Sequence, residues 1–300
     1  MTGRMLLGLL LIISLYAFSS CFRQDIRPQR VEEEYALLVP RTDSVWYQNT
    51  IQGFLDACKE FGVKGTVLNS QLDENLVILN LEQALQQKVS GIALVSPNFY
   101  SGWSIMSHAF NSNIPIVSLD EKIADSQGRQ LAPYIGLDNQ KAGIEAGNWA
   151  IQTLKEEGWL SNPEVSFGIA VLTYQELRGM QDRTNAFLNR IETGFPAIPQ
   201  SQIFPISCRK GSSVSGLLAM QQLVANHPGI NFWFVFGATA DSVIGAVRAL
   251  EQVDLGQNAV AIGIDAGLGF IEFEKNRITP FKTVLFVDTY RQGYAAASAL

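Results

Sequence analysis

Apolar and polar positions fall along this chain in repeating blocks. Short apolar runs, as a strand buried on both faces requires, recur at about 35–39, 65–69, 91–96, 115–119, 133–136, 165–172, 202–206, 231–236, 258–264 and 281–287. Between them lie longer stretches with apolar residues at helical spacing, starting near 46, 74, 102, 139, 176, 212, 239, 267 and 289. The first unit shows the pattern. Tyr35 to Val39 is closed by Pro40, a polar loop follows, and Ser44 is suited to cap a helix. Trp46, Ile51, Phe54, Leu55, Cys58 and Phe61 then share one helix face, and Gly62 stops it. Such alternation predicts an α/β protein with parallel sheets covered on both faces. Ten strands are better divided into two sheets than joined in one.

Ligands gather at the carboxyl ends of strands in such sheets. Several strand ends here carry polar residues. One run ends in Asp120-Glu121, another in Thr173 to Glu176 with Arg183 on the helix after it, and others lead to Thr239 and Asp241 or to Asp265. A single acid in such a place is commonly a helix cap, the reading kept for Asp241. Asp120, Arg183 and Asp265 together point to a site. Trp46-Tyr47 stands on the same edge, an odd place for large rings unless something stacks on them.

Composition narrows the class. Three hundred residues allow two domains, and 47% hydrophobic against 17% charged residues supports a filled core. A net charge of −6, with no basic block in the body of the chain, argues against nucleic acid as a partner. The three cysteines and two histidines form no metal-ligand pattern, and no cofactor is expected. Cys58 and Cys208 are expected as separate buried thiols. Residues 1–21 read as a secretory signal, with Arg4, an apolar run from Met5 to Phe18, and Ser19-Ser20-Cys21 at its end. Phe18 to Cys21 resembles a bacterial lipobox, so Cys21 is the expected lipidation site; an ordinary export signal is the alternative. Residues 22–34 read as a polar tether, 35–137 as a first lobe completed by 288–300, and 138–287 as a second lobe.

From ALLVPRTDSVWYQ onward the chain resembles the periplasmic sugar-binding proteins of ABC importers, of the type I fold, and among them the L-arabinose-binding proteins. The likeness is densest in LTYQELRGMQDRT, in LVANHPGINFWFVFGATADSVIGAVRALE and in AIGIDAG. It implies two Rossmann-like lobes joined by crossover strands, with a monosaccharide between them. Carried across by position, the family's stacking tryptophan falls on Trp46, its cleft acids on Asp120 and Glu121, and its arginine on Arg183. Its two asparagines fall on Thr239 and Asp265. Its first-loop lysine and glutamate are replaced by Pro40 and Ser44, and its pocket methionines by Leu137 and Ala238. The family chain crosses between lobes three times. Only two crossings can be placed here, near Leu137-Asp138 and Val287-Asp288, so the C-terminal end reads as truncated.

The residue types suit a pyranose, which offers an apolar C–H face to a ring and a rim of hydroxyls to donors and acceptors. Trp46 would supply the ring, Asp120 and Asp265 acceptors, and Arg183 a planar fork of donors. The bland alternatives are a ring stapling its own helix for Trp46, and a surface pair with Asp182 or Glu176 for Arg183. For Glu121 the alternative is a solvent-facing neighbour of Asp120. Trp103, Trp149, Trp159 and Trp233 read as packing.

The expected function is therefore a lipid-anchored solute-binding protein, monomeric and outside the cytoplasmic membrane. It would capture an arabinose- or galactose-like sugar and deliver it to an ABC permease. The alternative is a sensor subunit for chemotaxis or a kinase. A sugar-processing enzyme is disfavoured: no glycine-rich turn follows the first strand, and Arg183 should keep Asp120 and Asp265 ionised, leaving no general acid. A repressor of this fold would need a DNA-binding helix-turn-helix where the export signal stands.

Overall fold

The computed structural model describes residues 33–96, 102–159, 161–162, 164–275 and 277–300; the signal, Cys21 and most of the tether lie outside them. The described residues form ten strands in two five-stranded sheets, ordered β2-β1-β3-β4-β5 and β10-β9-β8-β6-β7. The first sheet comprises β1 (Glu34–Val39), β2 (Lys64–Asn69), β3 (Gly91–Leu94), β4 (Ile116–Leu119) and β5 (Tyr134–Ile135). The second comprises β6 (Phe167–Thr173), β7 (Ile203–Ser207), β8 (Phe232–Gly237), β9 (Ala259–Asp265) and β10 (Phe281–Phe286). Every pairing within them is parallel. The interior strands β6 and β9, on either side of the central β8, are buried at every residue, as largely apolar runs between two helical layers should be. The strand starts at Glu34, inside the stretch assigned to the tether, because Glu34 pairs with Lys64 and its carboxylate takes the Lys64 ammonium at 3.1 Å.

Nine helices of the described chain cover the sheets: α1 (Val45–Phe61), α2 (Glu74–Gln86), α3 (Gly102–Ser107), α4 (Asn139–Glu156), α5 (Arg178–Gly194), α6 (Ser213–Asn226), α7 (Ala240–Gln252), α8 (Leu268–Glu274) and α9 (Thr289–Ser298). After β5 the chain enters α4, which lies along α5 over the second sheet. After β10 it returns as α9, which lies along α1 over the first. That return is a close one. A Cβ on Gly53 would stand 2.0 Å from the Tyr290 carbonyl oxygen, and one on Gly293 would stand 1.9 Å from that of Thr50. Glycine at both positions lets the two backbones touch. Thr289 then donates to the Trp46 carbonyl at 3.0 Å, tying the start of α9 to the start of α1.

The core of the second lobe holds a Phe187–Phe236 stack at 4.0 Å and the buried rings of Trp159 and Trp233. Trp149 packs partly buried against Phe234. Trp103 departs from the packing expected of it: it is 51% exposed, with its ring against Phe110, because α3 is a single short turn and a half with one inward face. Cys58 and Cys208 are separate buried thiols. Among the described residues no helix is long and apolar enough to cross a membrane, and no cluster of metal-binding side chains occurs.

Candidate functional site

Parallel pairing throughout sets all strand carboxyl ends of a sheet on one edge, and the loops after β1, β4, β6, β8 and β9 carry the polar residues. Ser44 caps α1 by accepting from the Tyr47 amide, which puts Trp46 and Tyr47 on its first turn. Both reach the same carboxylate. Trp46 Nε1 and Tyr47 Oη each donate to Asp120 Oδ2 at 3.1 Å. Asp120 has a left-handed backbone (φ 66°), a conformation that only glycine adopts freely, and aspartate tolerates better than most. The turn sends the neighbouring carboxylates different ways. Glu121 is 4% exposed and accepts from the Gly179 amide of α5 at 3.3 and 3.4 Å.

Arg183 arrives from the second lobe. Its guanidinium carbon lies 5.5 Å from the centre of the Trp46 ring, a cation–π contact. It is 1% exposed, donating through Nε to Asn139 Oδ1 at 2.5 Å and through Nη1 to the Ala238 carbonyl at 3.0 Å. The surface pairs imagined for it go elsewhere: Asp182 pairs with Arg178, and Glu176 faces Arg209. Nor is Glu121 a solvent-facing neighbour. Trp46 is half-buried against the core of the second lobe, so its ring sits where the lobes meet.

Thr239 and Asp265 stand apart from this cluster. The Thr239 hydroxyl accepts from the Ser242 amide as the cap of α7 and donates to the Gly211 carbonyl at 2.7 Å. The cap near Asp241 is therefore Thr239, with Asp241 in the first turn of the helix. Asp265 Oδ2 accepts from the amides of Gly267, at 3.0 Å, and Gly269, which fixes the start of α8. Beside it Asn49 of the first lobe donates to the Ala266 carbonyl at 2.9 Å, a second cross-lobe bond.

A cleft of about 430 Å³ opens beside the cluster, where β5 leads into α4. Asp120, Glu121, Tyr134, Leu137, Asn139 and Arg178 are among its lining residues; Trp46, Arg183, Thr239 and Asp265 are not. This cleft thus lies on the α4 side of the two acids.

Burial governs the ionisation of this site. It pushes Asp120 above the usual carboxylate range, against the pull of Arg183 and of the Tyr47 and Trp46 donors. Burial, then the charge of Asp120, pushes Glu121 up to about 8, against the Gly179 amide and Arg183. Arg183 itself is lowered by burial and held up by Asp120 and Glu121. Arg183 was expected to hold Asp120 and Asp265 ionised; at Asp120 its pull is opposed by the larger effect of burial.

Sequence reasoning missed Asn139, Tyr134, Asn49 and Gly179. Only Gly179 carried a signal, a glycine in the first turn of a helix with no packing role visible in the pattern. The other three are ordinary polar residues beside element ends.

Residues 35–300 match the family model of the periplasmic binding protein domain. An ABC transporter L-arabinose-binding periplasmic protein of Azospirillum brasilense is 27% identical over 74% of this chain and 66% of its own length. The chain thus spans a little under two thirds of that relative. The L-arabinose-binding periplasmic protein of Escherichia coli (strain K12) is 21% identical over 88% of this chain and 79% of its own. In structure, the Caulobacter myo-inositol binding protein superposes with a TM-score of 0.76 at 16% identity, covering 91% of this chain and 88% of its own. With a match across both lobes, the chain belongs to the family of the periplasmic binding protein domain, a family of binding proteins, not enzymes.

Proposed function

We propose that this protein captures a monosaccharide of the arabinose or galactose type between its lobes and delivers it to an ABC importer. The observation that carries the reading is the cross-lobe constellation of Trp46, Asp120 and Arg183. It joins an aromatic face, an acceptor and a fork of donors at the meeting of the two lobes. A pyranose needs those three functions, and their placement on opposite lobes would let closure assemble the site around the ligand. Thr239 and Asp265 would add a hydroxyl and a carboxylate from the second lobe. The names of the A. brasilense and E. coli relatives support a pentose, and the Caulobacter neighbour shows that the fold also takes a cyclic polyol.

On this reading the chain is monomeric and works outside the cytoplasmic membrane, held there by lipid on Cys21. Two or more acyl chains give stable anchoring at about 0.8 kcal/mol per buried methylene. Tryptophan fluorescence titrated with L-arabinose, D-galactose and myo-inositol tests the binding. A saturable change with at least one of them is expected, and no change with any would refute it. Mass spectrometry of membrane-extracted protein tests the anchor; an unmodified Cys21 and cleavage elsewhere would remove it.

A further inference from the structure

We propose that Glu121 is a positioning residue: its carboxyl group docks the amino end of α5 onto the first lobe and so places Arg183 beside Asp120 and Trp46. The inference rests on the reading of this cleft as the binding site, and it differs from the role that resemblance gives Glu121, which is direct contact with ligand.

The amino end of a helix presents amides that need acceptors. Residue Leu177, at the cap of α5, offers no side-chain hydrogen bond. The Gly179 amide takes its acceptor from Glu121, a residue of the other lobe. The fit leaves no spare room. A Cβ on Gly179 would stand 2.9 Å from Glu121 Oε1 and 2.6 Å from Asn139 Nδ2, so any side chain there would have to push both groups aside. Glu121 is more than nine-tenths buried in that contact. The left-handed turn at Asp120 divides the labour of the two acids: Asp120 meets Trp46 and Tyr47, and Glu121 meets α5.

Arg183 lies four residues beyond Gly179, on the same face of α5. Docking Gly179 therefore carries Arg183 with it. Asn139, which borders the Gly179 position, also accepts from Arg183 Nε, so one junction sets both the helix end and the guanidinium.

The test follows the Gly179 amide by hydrogen exchange in the ¹⁵N-labelled full chain, without sugar and with L-arabinose, beside calorimetric affinity. Glu121→Gln keeps a carbonyl that can accept and should keep both the protection and the affinity. Glu121→Ala should speed Gly179 exchange and weaken L-arabinose binding, each about tenfold, the scale of one lost hydrogen bond to a buried acceptor. Unchanged Gly179 exchange in Glu121→Ala would overturn the docking. Loss of affinity in Glu121→Gln with the amide still protected would overturn it in favour of direct ligand contact. Should L-arabinose fail to bind the wild-type chain, the exchange arm without sugar still decides the docking, separately from the reading of the ligand.

Discussion

Trp46 Nε1 lies 3.1 Å from Asp120 Oδ2, joining the first turn of α1 to the end of β4 across 74 residues of sequence. The bond fixes the indole plane, and Arg183 lies over the same ring. Trp46→Ala should therefore weaken sugar affinity by about 1–3 kcal/mol, the scale of a lost ring face and the disorder left behind. Trp103→Ala is the control. Its exposed ring should alter neither affinity nor melting, and an affinity loss in Trp103→Ala equal to that in Trp46→Ala would remove the distinction.

Arg183→Met tests the buried cation. The change strands Asn139 Oδ1 and the Ala238 carbonyl, and leaves Asp120 without its nearest opposing charge. Unsatisfied buried groups cost about 1–3 kcal/mol each, so both melting temperature and affinity should fall. A variant that melts like wild type would mean that Arg183 is not held as described.

The pH dependence has a definite sign. With the lobes together Glu121 titrates at about 8, and opening to water returns it to the ordinary glutamate range. The closed arrangement therefore binds more protons than the open one. Its advantage is complete below the ordinary range and is lost as pH rises through about 8. The charged groups bearing on Glu121 are Asp120 beside it and Arg183 and Asp182 of α5, with Lys122, Asp138 and Arg178 around the cleft. L-arabinose affinity measured by calorimetry should be weaker at pH 9 than at pH 6, by at least about tenfold, since each pKa unit of linkage is a factor of ten. Glu121→Gln should flatten that profile. A wild-type affinity that rises with pH would contradict the assignment.

Gly293→Ala probes the α1–α9 contact. Its methyl would meet the Thr50 carbonyl at 1.9 Å, so the helices must separate. Overpacking of this kind costs about 1–3 kcal/mol, which a thermal melt resolves. An unchanged melting temperature would show that α9 docks loosely.

The strands were legible because a sheet buried on both faces demands unbroken apolar runs, and β6 and β9 are such runs. The bounds of α1 were legible through Ser44 at its start and the glycine at 62 at its end. The surroundings of Arg183 were not. Its acceptors Asn139 and Ala238 lie 44 and 55 residues away, and neither residue type announces the contact. The burial that opposes Arg183 at Asp120 was not legible for a related reason: charge can be read along a sequence, but burial depends on which lobe closes over which. Trp103 misled because a tryptophan in an apolar stretch looks like core until the helix carrying it proves short.

The most direct measurement is a calorimetric titration of the wild-type chain and of Trp46→Ala with L-arabinose, D-galactose, D-glucose and myo-inositol under one set of conditions. The account predicts saturable binding of at least one of them, one molecule per chain, weakened in Trp46→Ala while the fold still melts cooperatively. No heat with any of them, or binding that ignores the loss of Trp46, would contradict it.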